Sequence, residues 1–160
     1  MYAIFAVTAH EPLDRDVAQR MADELTSIAV SIDSPLTIFA NNAAIALLMS
    51  VPLIGTAAGI YVIYNTGLYV SAIAITTGVP PIALALVPIL AIYGALEFFA
   101  YGICFNEGIR ILLSVIKREL KSQIRLVAYM IGLGVLVLFV AALLEFLILE
   151  SVQTLTMIRT

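Results

Sequence analysis

Between Asp33 and Lys117 the chain carries three charged residues, Glu97, Glu107 and Arg110. In an apolar stretch this long, each ionisable side chain needs a partner or a purpose. Two readings fit Glu97. A carboxylate in the first turn of a helix is favoured by the macrodipole and by unpaired N–H groups. A carboxyl group buried among helices can instead hold a proton or a cation. Glu107 and Arg110 are three residues apart, so on one helix they meet as an ion pair, and Asn106 is spaced to bond the same guanidinium. Asn41 and Asn42 are adjacent and cannot point the same way, so at least one amide should face another helix rather than lipid. Glu145 and Glu150 are expected near the end of the last crossing, within reach of lipid headgroups.

Familiar catalytic constellations are missing. The chain has no G-x-S-x-G, no H-E-x-x-H and no phosphate loop, and its one histidine, His10, has no neighbouring candidate ligands. Paired aspartates in crossings, as intramembrane aspartyl proteases need, are absent, the last aspartate being Asp33. One cysteine, Cys104, excludes an intrachain disulfide and any multi-cysteine metal site, and it reads as a small packing residue. No cofactor and no metal is expected, and the chain is not read as an enzyme.

The elements that must position these groups follow from composition. Of the 160 residues, 62% are apolar and 12% charged, too little polar surface to cover a soluble domain. The formal net charge of −3 offers no global positive field for nucleic acid. The expected fold is all-α: a polytopic helical membrane protein with about four crossings, a short broken or re-entrant helix and an N-terminal amphipathic helix.

Roughly 20 apolar residues make one helical crossing. The first is expected over about 36–63, with Pro35 at the opening position and a turn at Asn65, Thr66 and Gly67. The segment 68–92 is interrupted by Gly78, Pro80, Pro81 and Pro88. It is expected as a short helix 68–78 and a second, about 81–92, that spans or re-enters. Full crossings follow at about 94–116 and 126–149. The two-part organisation is an extracytoplasmic segment 1–33 and a single transmembrane domain 34–160. In the former, Leu13, Val17, Met21, Leu25, Ile28 and Ile32 recur at helical spacing opposite Asp14, Asp16, Arg20, Asp23 and Glu24. Met1 to Ala9 reads as the stump of a missing helix or a short anchor.

Charge sets the expected orientation in the cell membrane. Lys117, Arg118, Lys121 and Arg125 are half of the 8 basic residues, so the loop 117–125 is placed in the cytoplasm. Alternation then puts the acidic N-terminal segment and the tail 150–160 outside.

The order Phe39-x-Asn41-Asn42, Gly55-x-x-x-Gly59-Ile60, Asn65-Thr66-Gly67 and Gly94-x-x-Glu97 resembles the stage II sporulation protein M family of small polytopic membrane proteins. The resemblance spans about 36–149. Tyr93 stands where that family usually has a histidine before the glycine, and Thr66 separates an asparagine and glycine that usually adjoin. Family members commonly begin with one more transmembrane helix. The resemblance implies an all-helical membrane fold and a non-enzymatic component of a cell-envelope complex whose partners carry the catalytic activity.

The resulting expectation is a non-enzymatic membrane scaffold, with membrane lipids around it, that assembles with itself, a dimer being favoured, or with envelope proteins. Asn41, Asn42, Asn65, Gly67, Gly94 and Glu97 are expected as one polar cluster where broken helices meet. Gly55, Gly59 and Gly102 are the expected helix-packing positions, since small residues let backbones approach. The alternative is a transporter, channel or lipid-moving protein that uses the broken helix and Glu97 as a polar site.

Overall fold

The computed structural model describes residues 2–158, with side chains described over 4–28, 32–87 and 90–151. Met1 of the expected stump and residues 159 and 160 of the expected tail lie outside the described residues. Seven helices follow one another with no strand among the described residues: α1 (Tyr2–Thr8), α2 (Arg15–Ser31), α3 (Pro35–Met49), α4 (Ile54–Thr77), α5 (Pro81–Leu90), α6 (Ile92–Ile116) and α7 (Leu120–Ile158). Three of them, α4, α6 and α7 as far as Ser151, are long and apolar enough to cross a membrane.

The first expected crossing, 36–63, does not form as one helix, because the helix is interrupted at residues 50–53 between α3 and α4. Pro52 supplies no N–H and its ring would strike the preceding turn. Leu53 adopts φ 65° and Ile54 N–H bonds Pro52 O at 2.7 Å, so the turn is unusually tight. Gly55 follows it, and a Cβ there would collide with the carbonyl of Met49. The same carbonyl rests on α6, where a Cβ on Gly108 would lie 2.8 Å from Met49 O and 3.0 Å from Ser50 O. Two glycines thus admit the corner, one from its own chain and one from a facing helix.

The expected turn at Asn65–Gly67 does not form. These residues lie inside α4, where Asn65 and Thr66 bond back to the carbonyls of Tyr61 and Val62 at 2.9 and 2.8 Å. An asparagine or threonine that satisfies itself on the preceding turn need not end a helix. The true stop is Gly78, which takes φ 73° as a left-handed cap and bonds Ala74 O, with Pro80 and Pro81 behind it. Pro81 opens α5, and one extended residue, Ala91, separates α5 from α6. α6 turns into α7 through Arg118 at φ 59°, with Glu119 N–H on Ser114 O at 2.8 Å. α7 extends beyond the expected 126–149 at both ends.

α6 and α7 share the most extensive contact, and α3 lies across both. Their common core is built of small side chains, Ala46, Ala100 and Cys104, around Leu138, with Phe39, Tyr101 and Val137 against it. Phe39 also meets Phe139 edge to face at 5.4 Å between centroids. Small residues matter here because helices in lipid gain from close backbone approach rather than from expelling water. α1 and α2 both pack on α4. Gly67 receives Thr8, and Ser71 donates to Glu11 O at 2.7 Å.

Candidate functional site

Asn42 is buried on the inner face of α3, whereas Asn41, next in sequence, is exposed. The Asn42 amide donates to Glu97 Oε1 at 2.6 Å. Asn41 reaches Asn42 Oδ1 at 3.5 Å, the outer limit of a hydrogen bond. Glu97 sits in the second turn of α6, and Gly94, buried one turn before it, removes a side chain from the same face. The third partner is Glu145 of α7, whose carboxyl group hydrogen-bonds that of Glu97. Two adjacent carboxyl groups hydrogen-bond only through a proton on one of them. Tyr93 and Tyr101, at helical spacing on either side of Glu97, flank both carboxyls.

The cluster therefore joins α3, α6 and α7, and its membership differs from the expectation in three residues. Asn65 is spent on its own helix, and Gly67 is the seat of Thr8, so neither belongs to it. Glu145, expected at the headgroups, turns inward instead. A signal for it was present: Gly134, Leu138, Ala141 and Ala142 precede it at three- and four-residue spacing and are all buried, which marks the inward face of α7.

The second charged group is Glu107 with Arg110. Glu107 is fully buried (0%) and its Oε2 lies 3.4 Å from Arg110 Nε. That geometry is an ion pair rather than a hydrogen bond, and Oε2 has no hydrogen-bond partner. Asn106 reaches Glu107 Oε1 at 3.5 Å, not the guanidinium that its spacing favoured.

The packing glycines divide. Gly55 serves its own chain at the corner, Gly59 is buried in α4, and Gly102 faces outward with nothing within 4 Å of a Cβ built on it. Gly134, not singled out from sequence, admits Cys104, whose sulfur would lie 3.0 Å from a Cβ there. Chemically, the Asn42–Glu97–Glu145 cluster can hold a proton or exchange it for a small cation. Among the described residues no group of three or more His, Cys, Asp or Glu side chains is placed to hold a metal ion. No family model, curated protein or solved structure matches the chain.

Proposed function

We propose that the chain is a non-enzymatic multi-pass membrane scaffold that assembles with itself or with cell-envelope proteins. The observation that carries this reading is that the polar side chains of the cluster, Asn42 buried and Glu97 and Glu145 half-buried, are one another's partners. Asn42, Glu97 and Glu145 tie three helices far apart in sequence, and a group used as a clasp is not free to act on a substrate. The stage II sporulation protein M family is the proposed relationship, supported by the spacing of Asn41, Asn42, Gly94 and Glu97.

The proposed topology keeps both termini outside and the loop 117–125 in the cytoplasm. It requires α3, 15 residues long and so about 22 Å at 1.5 Å per residue, to serve as a short fourth crossing, and α5 to re-enter. The α3–α4 corner rests on Gly108 in the half of α6 nearer the basic loop. Glu11 and Thr8 pack on the other half of α4. Both facts support loop and N-terminal segment at opposite ends of the bundle. α2 is then an amphipathic helix on the outer side, and Phe98, Phe99 and Gly102, all outward on α6, form the face for a second copy.

The test is co-purification of tagged full-length protein from native membranes in mild detergent. A stoichiometric envelope partner lost on deleting 11–33, or a defined dimer, is the expected result. A monomer with no partner would overturn the scaffold. The second reading, a conduit for protons, ions or lipid, is favoured by one observation: the Glu97–Glu145 pair lies close to the break at Ala91. Flux in reconstituted liposomes above empty controls, lost in Glu97→Gln, would move the conclusion to it.

A further inference from the structure

A cavity of about 290 Å³ opens under the α6–α7 turn, away from the carboxyl clasp. Asn106, Arg110 and Ser114 of α6 and Lys117 at its C-cap line it, at three- and four-residue spacing. Glu119, just before α7, and Gln123, in its first turn, line it as well. Arg110 lies about two turns inside the end of α6, a depth at which a guanidinium is costly unless its donors are met. Glu107 accounts for one side of it, Nε at 3.4 Å. The two terminal nitrogens of Arg110 have no partner among the described residues.

We propose that this cavity is a phosphate-binding site, occupied either by a phospholipid headgroup or by free phosphate. Three features converge on that chemistry. The guanidinium is a planar fork that matches two phosphate oxygens. Lys117 adds a compact positive charge, and Gln123 brings an amide donor to the lining from α7. Glu107 completes the design: fully buried, with no hydrogen bond to Oε2, it holds Arg110 at the wall and offsets its charge. Glu119, the one acid on the lining, weakens phosphate binding and restrains the site.

The position favours a headgroup. The turn adjoins Lys121 and Arg125, both exposed, and Arg and Lys at a helix end snorkel to the level of lipid phosphates.

The test uses the purified full-length protein in detergent, titrated with short-chain phosphatidylglycerol, with phosphate-free diacylglycerol, and with inorganic phosphate as competitor. Phosphatidylglycerol should bind, and Lys117→Gln should weaken it about tenfold, the usual scale of one charge-assisted contact. Glu119→Gln should tighten it. Lys121→Gln, on the same turn but outside the cavity, should leave it within about twofold, as for a screened surface charge. Arg110→Lys, which keeps the charge beside Glu107, should lose the fork and weaken binding even where the fold is intact. Inorganic phosphate displacing the lipid one for one would assign the site to free phosphate, and failure to displace would assign it to the headgroup. Equal binding of diacylglycerol, or equal losses in Lys117→Gln and Lys121→Gln, would overturn the proposal.

Discussion

Replacing Gly108 by alanine tests the corner on which this arrangement rests. Gly102 and Gly108 are interior positions of the same helix, α6, so each Gly→Ala change brings the same gain in helix propensity, about 1 kcal/mol. That gain cancels when the two variants are compared. What remains is contact. At Gly102 a Cβ meets nothing within 4 Å, whereas at Gly108 it lies 2.8, 3.0 and 3.1 Å from Met49 O, Ser50 O and Ser50 C. All three are backbone atoms of a turn already pinned by Leu53 at φ 65°, so no side chain can swing aside. Overpacking of this kind costs about 1–3 kcal/mol. For a chain of 160 residues that is about 2–12 °C between the two melting temperatures. Thermal unfolding of both variants as detergent-solubilised monomers reads the difference, with Gly132→Ala, also open on α7, as a second control. If Gly108→Ala melted with the controls, α3 and α4 would not turn against α6 as described, and the placement of Asn42 beside Glu97 would fall with it.

The clasp makes its own prediction. Asn42→Leu removes the 2.6 Å bond to Glu97 and should destabilise by about 1.5–3 kcal/mol, the scale of a hydrogen bond to a charged group. Glu145→Gln keeps a polar group, now an amide donor, against Glu97 and should cost less than Asn42→Leu; paired denaturation curves decide both, and a neutral Asn42→Leu would remove the clasp. Arg110→Ala leaves Glu107 buried without its ion-pair partner, so it should cost about 1–3 kcal/mol, while Glu107→Gln with Arg110→Ala should recover most of that. Equal stability of the single and double variants would show that Glu107 does not depend on Arg110. For topology, Lys121→Cys should be labelled by an impermeant maleimide only after the cells are opened, and Asp14→Cys in intact cells. Buried Cys104 should contribute no background, and labelling of both sites in intact cells would reverse the proposed sidedness of the basic turn.

Much of the architecture was legible because its causes are local. Gly78 followed by Pro80 and Pro81 stops a helix whatever surrounds it, and α5 begins where that chemistry requires. The Glu107–Arg110 pair follows from spacing on one helix. The adjacency of Asn41 and Asn42 already required one inward amide, and α3 turns Asn42 in and Asn41 out. The misread places depend on what lies opposite. Asn65, Thr66 and Gly67 have turn-forming composition, but α1 packs on the glycine and the two polar side chains bond within the helix, so α4 runs through them.

By itself the sequence determined that the chain is helical, apolar between its charged ends, and broken at Gly78 to Pro81, because periodicity and missing N–H donors act through the nearest few residues; the break at Pro52 reads through as helix from sequence alone. Only the tertiary structure decided that Glu145 faces Glu97 instead of the headgroups, and that the corner after Met49 closes on Gly108. Both outcomes depend on which helix occupies the facing groove. A carboxyl group takes whichever partner the packing brings within a hydrogen bond's length.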